Sequence, residues 1–153
     1  MSRKARRAPR GVVDTSVVIA GAAAFRGAPL HPETESGKLL LRWIEEGHFQ
    51  WLYTEEILDE YKEILKRFNV RPGVIGRFIN LIREEGVSVR VRTSGSVSAD
   101  PGDDPFCACA QRGNASFLVT LNPRDFPQPR LAAKVMRPGE ELPPSRKKRS
   151  ARR

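Results

Sequence analysis

Asp14 stands inside GVVDTSVVIAG, a run that is otherwise apolar. An ionised carboxylate in such a setting is costly unless a cation or hydrogen-bond donors meet it. Other acids or amides occupy suggestive places. Glu60 lies in the amphipathic stretch TEEILDEYKEILKRF, Asp103 and Asp104 precede the small-residue run PFCACA, and Asn122 and Asp125 follow the apolar run FLVT. Hard cations such as Mg²⁺ take oxygen ligands of this kind together with waters and substrate phosphates, and the ion offsets the repulsion among crowded carboxylates. Two such ions can clamp the attacking and leaving oxygens in phosphodiester hydrolysis. Other chemistries have less support. His31 and His48 stand in no motif with a base or nucleophile and read as loop and turn residues. Cys107 and Cys109 lack the partners of a zinc site and read as small buried apolar residues.

These residues need elements to position them, and the chain supplies strand and helix signals in alternation. GVVDTS reads as a buried strand and SVVIAGAAAF as a helix, with RGAPLHPETES a loop by its Pro, Gly and polar content. GKLLLRWIEEG reads as a helix closed by glycine, FQWLY as a strand, and TEEILDEYKEILKRF as a helix with Thr54 as N-cap and two glutamates in its first turn. A helix PGVIGRFINLIREEG, a strand VSVRV and a loop TSGSVSADPGD follow. The helix DPFCACAQRG has Pro105 at its first position and Asp104 as a natural N-cap. FLVT and AKVM read as the last strands. Such alternation predicts an α/β fold, a mainly parallel sheet with helices on both faces. In these sheets the functional crevice lies at the carboxyl ends of the strands, where Asp14, Asn122, Asp125 and the Asp103–Asp104 pair could gather. Glu60 borders the apolar stripe of its helix, with Lys62 on the opposite border, so its position fits either a sheet-facing acid or a solvated one.

The chain of 153 residues suits one domain with a real core. Its net charge of +9 is unevenly spread. Residues 1–10 hold five Lys/Arg and residues 143–153 hold six, which leaves sixteen against all 18 acids in residues 11–142. Positive charge thus belongs to a basic leader and to the tail PPSRKKRSARR, a composition that cannot pack a core and reads as disordered. Such tails serve either solubility or capture of a polyanion such as RNA, for which Arg146, Lys147, Lys148 and Arg149 are the candidates. No membrane-span signal and no apolar signal core are present, so a cytoplasmic protein without a membrane partner is expected.

Taken together, these segments resemble the PIN-domain family, of the kind found as ribonuclease toxins of toxin–antitoxin pairs. VVDTSVVIAG resembles the opening strand with its first acid, Asp14, and Thr15 or Ser16 as its hydroxyl neighbour. TEEILDEYKEIL resembles the helix with the second acid, Glu60. ADPGDDPFCACAQRGNASFLVT resembles the segment with the third, Asp103, assisted by Asp100 and Asp104. KVMRPGEEL is similar to the closing strand of one subgroup. The resemblance covers residues 11–142 and implies a three-layer α/β/α fold. It also implies Mg²⁺- or Mn²⁺-dependent hydrolysis of RNA, a protein antitoxin as partner and a homodimer. Asp14, Glu60, Asp103 and Asp125 would be catalytic; Asp104 and Asn122 would join them as metal ligands, with Thr120 in support. In one place the chain departs from the family: Asn122 stands where a fourth acid is often found, and Asp125 is the nearby replacement. A catalytically weak RNA-binding module acting through its basic tails is the alternative reading.

Overall fold

In the computed structural model, residues 8–23, 34–91 and 105–146 are described. They form five strands and five helices in the order β1 (Arg10–Val13), α1 (Thr15–Ala23), α2 (Glu35–Glu46), β2 (Gln50–Tyr53), α3 (Glu55–Arg67), α4 (Pro72–Glu85), β3 (Val87–Ser88), α5 (Pro105–Arg112), β4 (Phe117–Val119) and β5 (Lys134–Met136). Two short 3₁₀ turns, Pro123–Asp125 and Gln128–Arg130, lie between β4 and β5. The strands make one sheet in the order β3-β2-β1-β4-β5, and every pairing is parallel. The expected α/β architecture is therefore the one observed.

Local chemistry sets the helix limits. Thr54 accepts from the Ile57 amide at 3.1 Å, as its N-cap role requires. Helix α2 starts earlier than GKLLL suggested because Thr34 caps it by accepting from Gly37 N at 3.0 Å. It ends at Gly47, whose φ of 59° places it in the left-handed region that glycine tolerates best. The strand expected over VSVRV is only Val87–Ser88, since this edge strand pairs with just the last two residues of β2.

Parallel strands covered on both faces should be apolar throughout, and the central ones are. Trp51 packs against Trp43 of α2, Tyr61 of α3 and Phe78 of α4. Its neighbour Leu52 points to the other face, where it meets the turn after α5 at Gly113. Burying a side chain of this size contributes about 1.5–3 kcal/mol. At Gly11 the Phe117 ring lies so close that an added Cβ would come within 2.0 Å of it, so glycine is what allows β1 and β4 to pack. Cys107 and Cys109 are buried free thiols. Burial pushes the Cys109 thiol up to about 12, so it is inert at neutral pH.

The packed body extends past residues 11–142 at both ends. Gln50 donates from its backbone N to Pro9 O and from Nε2 to Ala8 O, each at 2.8 Å. Arg146, expected in a disordered tail, is instead fastened to the body. Its backbone N donates to Ser116 Oγ and its Nη1 to Ala115 O, both at 3.1 Å, because the turn before β4 offers acceptors there. Lys147, Lys148 and Arg149 lie outside the described residues.

Candidate active site

Strand order reverses between β1 and β4: the connections from β1 and β2 build the sheet in one direction, and β4 and β5 continue it in the other. In an open parallel sheet this reversal opens a crevice at the carboxyl ends of the two strands. Val13 pairs with Val119, so the next residues, Asp14 and Thr120, leave the sheet side by side. The Asp14 amide donates to Val119 O at 2.9 Å, which fixes the carboxylate at the crevice.

Two hydroxyls hold Asp14. Ser16 Oγ donates to Oδ2 at 2.6 Å and Thr120 Oγ1 donates to the same oxygen at 2.9 Å. Each hydroxyl is itself oriented by a backbone amide, Leu121 N on Ser16 Oγ at 3.1 Å and Asn122 N on Thr120 Oγ1 at 3.0 Å. Thr120 is fully buried, so its hydroxyl has no water to compete for it. The choice left open between Thr15 and Ser16 divides between two acids: Ser16 serves Asp14, whereas Thr15 Oγ1 donates to Glu60 Oε2.

That second bond settles where Glu60 faces. The half-buried glutamate turns inward to Thr15 at the start of α1, while Lys62 pairs with Asp59 at the surface at 3.1 Å. A residue that sequence reasoning took only for core reinforces the arrangement. Tyr61 OH donates to Val13 O at 2.5 Å and accepts from Trp51 Nε1 at 3.3 Å. Consecutive residues of α3, Glu60 and Tyr61, thus grip the residues on either side of Asp14. Burial pushes the Tyr61 phenol well above its usual range despite the opposing Trp51 hydrogen bond, and the negative charges of Asp14 and Glu60 push the same way. It therefore remains a donor. The only sequence signal for this role was a tyrosine, rather than an aliphatic residue, in the apolar stripe.

Among the described residues, the hydrogen bonds from protein to the two carboxylates fall on Asp14 Oδ2 and Glu60 Oε2. Asp14 Oδ1 and Glu60 Oε1 take none from these residues. Two anionic oxygen donors with no thiolate or imidazole beside them among the described residues suit a hard divalent cation. No group of three His, Cys, Asp or Glu side chains that could hold a metal forms among the described residues. Asp125 is exposed on the first 3₁₀ turn, and Asn122 is exposed just before it. Asp125 forms no such group with Asp14 and Glu60 among the described residues. Asp100, Asp103 and Asp104 lie outside the described residues.

The PIN domain family matches the chain over residues 10–124, from the first residue of β1 to the turn after β4. The protein belongs to the PIN-domain family. PIN domains are generally nucleases that use divalent metal ions, and the match takes in Asp14, Glu60 and Thr120 together with their supporting contacts. No curated protein matches the chain. No helix among the described residues is long and apolar enough to cross a membrane.

Proposed function

We propose that this PIN-domain protein is a Mg²⁺- or Mn²⁺-dependent endoribonuclease, acting as the toxin of a toxin–antitoxin pair. The observation that carries the nuclease reading is the convergence of Asp14 from β1 and Glu60 from α3 at the strand-order reversal, joined through Thr15. Asp14 and Glu60 would hold the metal, with Asp103 and Asp104 completing the set and Asn122 or Asp125 supporting it from the rim. When bound, the ion supplies an activated water and neutralises charge that develops on the phosphate.

The remaining work falls to the chain itself. Ser16 and Thr120 fix one oxygen of Asp14, so the carboxylate does not reorganise as substrate arrives. Thr15 does the same for Glu60. Because both Ser16 and Thr15 commit their hydroxyl protons to carboxylates, with no histidine beside them among the described residues to act as base, neither is set up as a covalent nucleophile. RNA with an accessible single-stranded backbone fits an open crevice at a sheet edge. A protein antitoxin and a homodimer follow from the resemblance to toxin ribonucleases.

The decisive experiment is cleavage of mixed-sequence RNA in Mg²⁺, Mn²⁺ or EDTA. Cleavage with either metal, lost in EDTA, is expected. Cleavage that persists in EDTA would overturn the metal-dependent reading, and intact RNA under all three conditions would favour the binding-module alternative.

A further inference from the structure

All five strands are parallel, so they begin at one edge of the sheet, the amino edge, and end together at the carboxyl edge. Val13 pairs with Val119 and Val119 with Met136, so Asp14, Thr120 and Arg137 leave three neighbouring strands side by side. Strands are about 4.8 Å apart, which puts the Arg137 backbone roughly 10 Å from that of Asp14. Arg137 is exposed, and it lies beyond residues 10–124, the span of the family match.

Three contacts aim this arginine. Its backbone N donates to Glu140 Oε2 at 2.7 Å and its backbone O accepts from Glu140 N at 3.3 Å, closing a turn with Pro138 and Gly139 at the centre. Proline presets the first central position and glycine, with φ of 97°, supplies the positive angle the second requires. Arg137 Nη1 then donates to Leu121 O at 3.1 Å, so the side chain reaches from the end of β5 to the end of β4, one strand nearer Asp14. The peptide unit it holds is already part of the site. Asn122 N, on the other side of that unit, donates to Thr120 Oγ1, which donates to Asp14 Oδ2.

Leu121 O takes one of five guanidinium N–H groups, and among the described residues no carboxylate pairs with the others. Acids do stand on this side of the sheet: Asp125 is exposed on the first 3₁₀ turn, and Glu140 meets the Arg137 backbone amide and, at 3.6 Å, Lys134. A strand of RNA approaching Asp14 and Glu60 therefore meets negative charge. A metal offsets it at the reacting phosphate, but the phosphates on either side need a cation of the protein.

We infer that Arg137 is a substrate-binding residue: it grips an RNA backbone phosphate a few nucleotides along the strand from the one held at the carboxylates, and so sets where the strand lies on the carboxyl edge. This rests on the nuclease reading for its choice of RNA. Arginine suits the task because its planar fork can keep Leu121 O on one side and offer parallel N–H groups to a phosphate on another.

The test is fluorescence anisotropy of the full chain with labelled mixed-sequence single-stranded RNA, in EDTA over a range of salt concentrations. Binding alone is read there, so a protein that cuts no RNA in any metal leaves the result interpretable. Arg137→Gln should weaken binding by about fivefold at low salt, the size of one unit-charge contact in high dielectric. It should also flatten the logarithmic salt dependence by about 0.7, the value for one lost single-strand phosphate contact. Arg77→Gln removes the same charge from an exposed position on α4, a helix that packs on Trp51 of β2 through Phe78, and should bind RNA close to the parent level. Arg137→Lys keeps the charge and loses the fork, so it should keep the parent slope with part of the affinity gone. Mn²⁺ binding should be the same in Arg137→Gln as in the parent, because Ser16 and Thr120 still hold Asp14. Equal RNA binding by Arg137→Gln and Arg77→Gln would overturn the assignment. So would a parent protein that binds no RNA in EDTA, or an Arg137→Gln variant that loses Mn²⁺ affinity but not RNA affinity, which would make Arg137 a support for Asp14 instead.

Discussion

At the carboxyl edge of the sheet, polar side chains hold one another: amides orient hydroxyls, and the hydroxyls orient the carboxylates of Asp14 and Glu60. At the amino edge, cations are tied to backbone oxygens instead, Arg10 to Gly113 O and Arg146 to Ala115 O, each at 3.1 Å. The first arrangement fixes the direction of each charge, as a reaction demands. The second fixes only where the charge sits. The two edges therefore differ in how firmly each charge is aimed.

Replacing the central acid should separate them most sharply. Asp14→Asn keeps the shape of the side chain but removes the charge of a metal ligand, so cleavage should fall by about 100-fold or more, as with loss of other preorganised electrostatic groups. RNA binding in EDTA, which needs no metal ligand, should be retained. A folded variant that cuts at the parent rate would remove Asp14 from the chemistry.

The hold of Tyr61 on β1 comes next in size. Tyr61→Phe leaves Val13 O and Trp51 Nε1 buried without their partner, which should cost about 1–3 kcal/mol in chemical denaturation. Mn²⁺ binding, followed by electron paramagnetic resonance, should weaken more than in Leu65→Ala, a core truncation on the same helix. Equal loss in both would reduce Tyr61 to a packing residue.

Removing residues 147–153 tests whether the basic tail binds RNA without disturbing Arg146. Five charges are lost, so the logarithmic salt dependence of RNA binding should flatten by up to about 3 units while the metal requirement of cleavage persists. An unchanged slope would assign the tail to solubility.

A subtler difference lies in pH. His48, just before β2 at the amino edge, has its pKa lowered to about 4, by burial first and by Arg42 second, and its Nδ1 is buried without a hydrogen-bond partner. Between pH 6.5 and 4 the unfolded chain takes up this proton and the folded one does not, so stability falls as pH drops through that window. His48→Gln should flatten this part of the curve of denaturation midpoint against pH, and an unaltered curve would rule the histidine out as its cause.

Asp125 should show the smallest effect. It is exposed on the 3₁₀ turn, so Asp125→Ala should raise the Mg²⁺ midpoint for cleavage far less than Asp14→Asn does. A shift as large as that of Asp14→Asn would make Asp125 a direct ligand.

Much of this was legible along the chain because its causes are local. Alternating apolar strands and amphipathic helices specify the layers, and Thr54 and Gly47 mark helix ends through groups within a few residues. The strand-end place of Asp14 followed from one apolar run. The boundaries were less legible: β3 ends early because its partner ends, and α2 starts early because Thr34 supplies a cap. Glu60 was undecided because helical periodicity placed it on a border, and only the Thr15 hydroxyl, forty-five residues away in sequence, decides which side it faces.

The sequence by itself determined the family, the alternation of strands and helices, the presence of acids suited to a hard cation and the confinement of positive charge to the ends. Tertiary structure alone decided that Ser16 serves Asp14 while Thr15 serves Glu60, that Tyr61 holds α3 to β1, and that both basic ends start from one edge of the sheet. Composition and periodicity depend on near neighbours in the chain. Hydrogen bonds such as Thr120 to Asp14 and Arg146 to Ser116 join residues brought together only when the parallel sheet sets the strands side by side.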